Sequence, residues 1–137
     1  MTSTTSPISH TNPRLKHLLA ALGPSAVQKI QEARILVIGA GGIGCELLKD
    51  LVLSGFQDIE VVDLDTIDVS NLNRQFLFRK KDVGQPKSLI AKESVLRFNP
   101  TVKMVAHLGN VKNGDKFNAT FVKQFTVVAN ALDNVSA

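Results

Sequence analysis

The sequence has 137 residues, of which 44% are apolar and 20% are charged, and its formal net charge is +4. A chain of this length and composition is expected to form one globular domain with a hydrophobic core. No apolar run approaches the 18 residues of a membrane span, and residues 1–11 lack a signal-peptide pattern, so we expect no membrane partner. The single cysteine, Cys45, excludes an internal disulfide framework and a zinc site built from a cysteine cluster.

The first part of the chain combines a polar tail with two short helical segments. Residues 1–13 are polar, contain two prolines and show no periodicity, so we expect a disordered tail there. A short helix is predicted for residues 15–22. The sequence Gly23-Pro24-Ser25 breaks it, and Pro24 suits the start of a second helix that ends near Glu32.

The pattern that organises the chain lies between residues 34 and 65. A short apolar strand, Arg34–Ile38, is followed by the run GAGGIG at residues 39–44. Apolar residues then recur with the spacing of one helix face up to Val52, after which a Ser-Gly pair ends the helix. A second apolar strand, over residues 59–62, leads to Asp63. Strand, glycine turn, helix, strand and acid are the context in which G-x-G-x-x-G predicts a nucleotide site.

The glycines of this run have separate physical roles. Gly39 permits a tight turn, Gly41 lets the backbone approach a phosphate, and Gly44 lets the helix pack on the strand. The helix that follows offers unpaired N–H groups and the positive end of its dipole to a phosphate. Asp63 is placed to hold a ribose hydroxyl, either in a dinucleotide or in ATP.

The segment after the second strand is polar and then basic. Residues 66–74 (TIDVSNLNR) are predicted to form a loop with at most one helical turn. Residues 76–78 (FLF) are expected to wedge beneath this loop. We interpret residues 79–84 as a charged, solvated turn, which is the usual environment of a run of charges.

The remainder of the chain alternates helices and strands. A helix opened by a proline is predicted for residues 86–97, followed by a strand over residues 102–108. An amphipathic helix over residues 115–124 and a buried strand over residues 125–129 complete the pattern. The side chains expected to be buried in the first of these helices are Leu89, Ile90 and Leu96.

Strands that alternate with helices predict an α/β fold, a Rossmann-like parallel sheet with right-handed crossovers and flanking helices. Ligands of such sheets bind at the carboxyl ends of the strands. Residues 39–44, 63–65, 109–110 and 130–133 all follow predicted strands. We therefore expect these four segments to meet at one edge of the sheet.

Two classes of nucleotide fit the glycine run, and the residues after it favour ATP. In a nicotinamide-dependent oxidoreductase the glycine turn already serves the pyrophosphate, so further cations have little use. Here Arg74 and Lys87 follow the second strand, and Asp133 follows a later strand, where it can ligate Mg²⁺. Two cations and a metal-binding carboxylate suit a triphosphate. The oxidoreductase alternative predicts indifference to the substitution Arg74→Ala.

A third alternative, a nucleic-acid-binding module, follows from the charge distribution. Residues 74–103 contain eight Lys or Arg residues and only two acidic residues. Such a module predicts an affinity that falls steeply with salt. The chain has no Trp or Tyr for base stacking, and Phe76 and Phe78 stand in an apolar context, which argues against this alternative.

Several spaced motifs together resemble a known family. They are GAGGIG at 39–44, DLD at 63–65, SNLNRQF at 70–76, VG at 83–84 followed by Lys87, and ALDN at 131–134. In this order they resemble the adenylation domain of the ubiquitin-like-protein activating enzymes and of their bacterial ThiF/MoeB-type relatives. The run DLDTIDVSNLNRQFLF and the later NALDN are most similar to the SUMO-activating branch of that family.

The resemblance implies an enzyme that binds ATP and Mg²⁺. In that family the C-terminal carboxylate of a ubiquitin-like protein, here expected to be SUMO, attacks the α-phosphate, an acyl-adenylate forms and pyrophosphate leaves. The modifier is then passed to a cysteine. The resemblance also implies a heterodimer whose partner subunit adds an Arg to the phosphates, no nucleic-acid partner, and a nuclear location, or otherwise a cytoplasmic one.

The catalytic and metal-binding residues of the family carry over to matching positions. Arg74, Lys87 and Asn71 are the implied catalytic residues, through contacts with the phosphates. Asp133 is implied to hold Mg²⁺, and Asp65 is a loop carboxylate that can assist the metal.

The other implied roles divide the nucleotide among the segments. Asp63 is implied to take the ribose hydroxyls, and Leu132 to lie near the α-phosphate. Asn110 and Val111 are implied to lie against the adenine. The full set implied to bind the nucleotide is Gly39, Ala40, Gly41, Gly42, Ile43, Gly44, Asp63, Asn71, Leu72, Asn73, Arg74, Lys87, Asn110, Val111, Leu132 and Asp133.

The cysteine and two of the histidines are interpreted as structural residues, not as reactive or metal-binding ones. Cys45 stands at a predicted helix N-terminus, where the pKa of a thiol is often lowered. We interpret it as a packing residue, because the thioester-forming cysteine of the family belongs to a later domain. His17 and His107 have no partners at metal-ligand spacing and are interpreted as structural.

The resemblance finally bears on the extent of the chain. Residues 14–137 are expected to form the N-terminal part of an ATP-binding adenylation domain whose sheet is incomplete at its C-terminal end. In the family, Arg and Ala residues follow the ALDN motif, whereas residues 135–137 here are VSA. We expect a truncated product or fragment of a longer subunit, with most of an ATP half-site and little adenylation activity alone.

Overall fold

A computed structural model describes residues 13–133 of the chain. The prediction for the tail at residues 1–13 falls outside this range except for Pro13, and so does residue 134 of the last motif. Within the described range the predicted fold class is confirmed, because strands alternate with helices and every strand pair is parallel. No helix of this range is long and apolar enough to cross a membrane.

Four strands form the parallel sheet. They are β1 (Arg34–Ile38), β2 (Asp58–Asp63), β3 (Lys103–Leu108) and β4 (Val127–Asn130), and they lie in the order β3-β2-β1-β4. The order reverses between β3 and β4, since the chain leaves one edge of the sheet and returns beside β1 at the other. In open parallel sheets such a reversal opens a crevice at the carboxyl ends of the strands.

Four α-helices connect or precede the strands. They are α1 (Lys16–Glu32), α2 (Gly42–Leu53), α3 (Lys87–Phe98) and the single turn α4 (Ala119–Val122). The predicted break in the first segment is confirmed: α1 is interrupted at Gly23, whose backbone angles of φ 79° and ψ 166° are not helical. The crossovers containing α2 and α3 join neighbouring strands, as βαβ units require.

One face of the sheet packs on α2 and α3. Alternate strand residues such as Val37 and Val61 point to this face, and Leu48 of α2 and Val95 of α3 cover them. All four side chains are completely buried. This packing holds α2 and α3 in position on the sheet. It thereby places the N-termini of both helices at the carboxyl edge of the sheet.

The opposite face carries a smaller, partly ionic cluster. Leu36 and Val62 pack beneath Phe117 on this face. Next to them, Nε2 of His107 lies 2.6 Å from Oε2 of Glu60, and the imidazole ring meets the Phe117 ring edge-on, with 5.8 Å between centroids. The interpretation of His107 as a structural residue is confirmed.

The helix predicted for residues 115–124 is much shorter in the structure. The N–H of Phe117 donates to the carbonyl oxygen of Asn113 in a turn. The Oδ1 atom of Asn118 then accepts a hydrogen bond from the N–H of Phe121 over 3.0 Å, which caps α4 at its first residue. An amphipathic pattern alone did not reveal this cap.

Three predictions of burial were wrong. Phe76, expected to lie beneath the loop with Leu77 and Phe78, is 45% exposed, whereas the other two are buried. Leu89 is 40% exposed, because Ile90, its neighbour around the helix, is the residue that faces the sheet. The strand predicted for residues 125–129 exists, but Val127 and Val128 are 51% and 41% exposed. It lies at the edge of the described sheet, where it pairs with β1 on one side.

Candidate functional site

A cavity of about 420 Å³ opens at the carboxyl ends of the strands. The glycine turn after β1, the loop after β2, the start of α3 and the segment after β4 all contribute to its wall. The glycine run lines it with Gly39, Gly41, Gly42 and Ile43. The other predicted residues that line it are Asp63, Arg74, Lys87, Leu132 and Asp133. The expectation that the segments after β1, β2 and β4 meet at one edge is confirmed.

The glycine turn has a geometry that side chains would prevent. Gly39 has a φ of +103°, and a Cβ atom at this position would lie 2.8 Å from the carbonyl oxygen of Ala131. A Cβ atom at Gly44 would overlap the carbonyl oxygen of Gly39. Gly44 does not line the cavity. Because it has no side chain, α2 can pack directly against the turn.

The N-terminus of α2 faces the cavity without a side-chain cap. Its N-cap residue is Gly41, which has no side chain to accept hydrogen bonds from the first turn. Gly41, Gly42 and Ile43 all line the cavity. Backbone N–H groups and the positive end of the helix dipole are therefore available to an anion.

Asp63, at the end of β2, connects the glycine turn to the following loop. Its Oδ2 atom accepts a hydrogen bond of 2.6 Å from the N–H of Ala40, and its Oδ1 atom accepts one of 2.7 Å from the N–H of Asp65. Ala40 is completely buried and does not line the cavity. Its N–H is occupied by the bond to this carboxylate and is not available to a ligand. The acid is thus held in one orientation at the edge of the cavity.

The loop that carries Arg74 contains a 3₁₀ helix, Val69–Asn73, in place of the single turn predicted there. Asp68 is the N-cap of this helix, and Asn71 completes a capping box, since its Oδ1 atom accepts a hydrogen bond of 2.8 Å from the N–H of Asp68. The Asp68 carboxylate in turn accepts from the N–H of Ser70, which lowers the pKa of Asp68. The structure places Asn71 within the loop as a buried part of the capping box, outside the cavity lining.

The neighbours of Asn71 are also placed outside the cavity lining. Leu72 is partly buried against the core, and Asn73 is exposed. Arg74 lines the cavity, and its guanidinium donates to the carbonyl oxygen of Ser70 over 3.1 Å and to Oδ1 of Asn73 over 3.4 Å. Of these loop residues, the structure brings Arg74 to the site.

Lys87 is the second cation of the cavity. It is the first residue of α3 and is 8% exposed, and its Nζ atom lies 3.8 Å from Oδ2 of Asp65. A cation at the positive end of a helix dipole is unfavourable, and so is a buried charge with one distant partner. An anion in the cavity would relieve both effects.

The segment after β4 is held in place by two hydrogen bonds. The N–H of Ala131 donates to the carbonyl oxygen of Ile38 over 2.8 Å, and the N–H of Leu132 donates to Oδ1 of Asn130 over 3.0 Å. These contacts position Leu132 and Asp133 on the wall of the cavity opposite the loop after β2.

A smaller cavity of about 110 Å³ adjoins the first. Asn110 and Val111 line it, together with apolar side chains such as Ile38. Asp63 and Leu132 belong to the walls of both cavities. The loop after β3 thus adds a small, largely apolar compartment beside the glycine turn, with a carboxylate at the junction.

Four residues of the large cavity lay outside the predicted nucleotide-binding set, and one of them, Asp65, had been predicted only as a possible aid to the metal. Leu64 and Ala131 line it because they follow β2 and β4 directly. Gln75 also lines it, although its side chain is 2% exposed. Adjacency to Arg74 was the available sequence signal for Gln75, but adjacency does not indicate the direction of a side chain.

Cys45 lies beneath the glycine turn, not in the cavity lining. It is completely buried, and its Sγ atom donates to the carbonyl oxygen of Ala40 over 3.5 Å. Burial raises the pKa of Cys45 to about 12, because desolvation outweighs the lowering by the backbone of Leu77 and by the charge of Lys87. The interpretation of Cys45 as a packing residue is confirmed.

Comparison with known proteins shows close relatives of longer length. The chain is similar to SUMO-activating enzyme subunit 2 of Dictyostelium discoideum, with 60% identity over 124 residues, or 90% of this chain and 19% of that protein. It is similar to the ubiquitin-activating enzyme E1-like protein of Saccharomyces cerevisiae, with 50% identity over 125 residues, or 91% and 20%. The chain therefore spans about a fifth of the length of these relatives.

A solved structure shares the fold described above. E. coli tRNA N6-threonylcarbamoyladenosine dehydratase, TcdA, in complex with ATP, matches with a TM-score of 0.76 and 26% identity, covering 89% of this chain and 50% of that one. The profile of the ThiF family matches residues 14–137, which include the glycine run, both cavities and all the motifs on which the resemblance was based. The chain belongs to the ThiF family.

Proposed function

We propose that the chain carries the ATP-binding part of an activating-enzyme subunit for a ubiquitin-like protein, with SUMO as the modifier. The observation that carries the proposal is a single cavity in which an uncapped helix N-terminus faces the cations Arg74 and Lys87. The 60% identity to a SUMO-activating enzyme subunit supports the choice of modifier. The ATP complex of TcdA supports the choice of nucleotide.

The triphosphate belongs in the larger cavity in this proposal. Backbone N–H groups of the glycine turn would donate to phosphate oxygens, and Arg74 and Lys87 would neutralise their charge. Asp63, held by two N–H donors at the junction of the cavities, would accept the ribose hydroxyls. The smaller compartment, with Asn110 and Val111, would receive the adenine.

Magnesium fits the same cavity as a partner of the phosphates. Asp65 and Asp133 both line it, and carboxylate oxygens are ligands that Mg²⁺ prefers. The described residues contain no group of three or more His, Cys, Asp or Glu side chains that could hold a metal without help. Mg²⁺ commonly combines one or two carboxylates with substrate phosphates, where it neutralises phosphate charge.

The proposed reaction of the whole protein is adenylation of the modifier. The C-terminal carboxylate of the modifier attacks the α-phosphate, so a carboxylate–phosphate bond forms and pyrophosphate leaves. The residues of this chain contribute through position and charge: Lys87 and Arg74 stabilise the developing negative charge, and Asp63 holds the nucleotide in place. Residues 14–137 would form the N-terminal part of that adenylation domain, paired with a partner subunit in the nucleus.

Calorimetric titration of the chain with Mg·ATP and with NAD tests the nucleotide assignment. We expect one saturable ATP site and weaker binding of NAD, and Arg74→Ala should weaken ATP binding about tenfold or more. Tighter binding of NAD, with no effect of Arg74→Ala, would overturn the assignment.

A second assay addresses the reaction. ATP–pyrophosphate exchange that depends on SUMO is expected when the chain is joined to the downstream segments of a full-length relative and supplied with a partner subunit. Exchange that depends equally on an unrelated ubiquitin-like protein would contradict the choice of SUMO.

A further inference from the structure

Gln75 is a polar residue of the cavity that the proposed roles leave unused. Its side chain is 2% exposed, which makes it one of the largest fully buried side chains of the described chain. The residue is held firmly, since its N–H donates to the carbonyl oxygen of Asn71 over 2.9 Å and its carbonyl oxygen accepts from the N–H of Phe78 over 3.0 Å. These bonds fix its backbone, and burial restricts its side chain.

The amide of this side chain is incompletely satisfied. The Oε1 atom is buried and has no hydrogen-bond partner among the described residues. Buried polar side-chain atoms are hydrogen-bonded in the large majority of cases, and an unpaired one lowers stability. A methionine of similar shape would avoid that cost, so filling space does not account for a glutamine here.

The other amide atom points to the glycine turn. Nε2 lies 3.9 Å from the position that a Cβ atom would take on Gly41, and Gln75 itself lines the cavity. Arg74, the preceding residue, lines the same cavity, and its carbonyl oxygen lies 3.8 Å from a Cβ position on Gly42. The segment of Arg74 and Gln75 thus lies directly against the turn that leads into α2. Rotation of the amide by half a turn would place Oε1 there instead, so one polar atom faces the turn in either orientation.

We propose that Gln75 is a nucleotide-binding residue whose Nε2–H group donates to a phosphate oxygen held at Gly41. This inference depends on the proposed ATP site, and it assigns one neutral donor beside the two cations. Arg74 and Lys87 attract negative charge from any direction, whereas an amide donor fixed by burial selects the position of one oxygen. The unpaired Oε1 atom is then the cost of holding the donor in the cavity.

The variant Gln75→Met separates this role from simple packing. We expect Gln75→Met to weaken Mg·ATP binding about tenfold or more in calorimetric titration, because a donor to a charged oxygen is lost. Binding of adenosine, measured by competition, should change less than twofold, since adenosine has no phosphate. The melting temperature of the ligand-free variant should equal or exceed that of the unaltered chain.

Gln57→Met is the matched control. Gln57 lies at the opposite end of the strands, where its Nε2 atom donates to the carbonyl oxygen of Gly55 over 3.4 Å. This variant should bind ATP and adenosine like the unaltered chain. Equal ATP affinity of Gln75→Met and the unaltered chain would overturn the inference, and so would an equal loss of ATP and adenosine affinity.

A second variant guards against a folding defect. Gln75→Glu keeps the shape of the side chain and places negative charge against the phosphates, so ATP affinity should fall more than in Gln75→Met while adenosine affinity persists. Unchanged ATP affinity in Gln75→Glu would also overturn the inference. If the unaltered chain itself fails to bind ATP, the proposed function falls first, and that result is distinguishable from a loss confined to the Gln75 variants.

Discussion

The N–H of Ala40 and the Oδ2 atom of Asp63 form a hydrogen bond of 2.6 Å across the carboxyl ends of β1 and β2. The other carboxylate oxygen accepts from the N–H of Asp65 over 2.7 Å. The acid assigned to the ribose therefore also holds the glycine turn against the next loop. In the proposed function this residue serves both stability and nucleotide binding, so its substitution should affect both.

Asp63→Asn should destabilise the folded chain by about 1–3 kcal/mol. The amide has one acceptor oxygen in place of two, so one of the two N–H donors, of which that of Ala40 is buried, would face an NH₂ group. Urea unfolding measures the free energy of unfolding directly. Asp115→Asn, at an exposed position, is the control and should stay within about 0.5 kcal/mol of the unaltered chain. Equal effects of the two substitutions would contradict the structural role of Asp63.

Gly44→Ala should be destabilising although alanine is the better helix former. The added Cβ atom would overlap the carbonyl oxygen of Gly39, so α2 or the turn must move, at a cost of about 1–3 kcal/mol. The measurement is again urea unfolding, combined with ATP titration, because the same movement displaces the cavity wall.

Gly114→Ala is the matched control for this prediction. A Cβ atom at Gly114 meets nothing within 4 Å. Its unfolding free energy should change little. A stable Gly44→Ala variant with unaltered ATP affinity would show that the contact between turn and helix tolerates a methyl group.

Lys87→Met should separate affinity from stability. Removing a buried cation whose ion pair with Asp65 spans 3.8 Å should leave the ligand-free protein as stable as before, or slightly more stable. ATP affinity should fall about tenfold or more, because a charge-assisted contact with the phosphates is lost. Lys80→Met, at an exposed position, should leave both quantities unchanged. Retention of ATP affinity in Lys87→Met would remove Lys87 from the phosphate site.

The stability of the fold should decline at high pH through Cys45. Burial raises the pKa of this thiol from its ordinary value of 9.0 to about 12. Above pH 9 the unfolded chain releases the thiol proton while the folded chain retains it. Ionisation therefore stabilises the unfolded state, and the free energy of unfolding falls. Stability is lost between these pKa values, at a limiting slope of about 1.4 kcal/mol per pH unit.

The comparison with Cys45→Ala isolates this effect from other titrating groups. Urea unfolding of both proteins between pH 8 and pH 11 should show a stability difference that shrinks as the pH rises above 9. A difference that stays constant across this range would mean that the thiol ionises equally in the folded and unfolded states.

The strand–turn–helix unit was predictable because its signals are local. The strand Arg34–Ile38 has its predicted limits, and α2 ends where Ser54 and Gly55 indicated. The meeting of four segments at one edge followed from parallel topology alone. The roles of Asn71 and Gln75 were not predictable in this way. Both are polar residues of the same motif, and the sequence does not distinguish them. In the structure the Asn71 side chain belongs to the capping box of a 3₁₀ helix, whereas Gln75 lines the cavity.

The sequence by itself determined the α/β class, the glycine turn and the identity of the two cations at the site, because periodicity, glycine spacing and strand ends depend on short-range chemistry. Tertiary structure decided which side chains reach the cavity, which amide stays unpaired and why Cys45 retains its proton. These properties depend on burial and on contacts between residues such as Asp63 and Ala40, far apart in the chain, and packing of the sheet against its helices creates both.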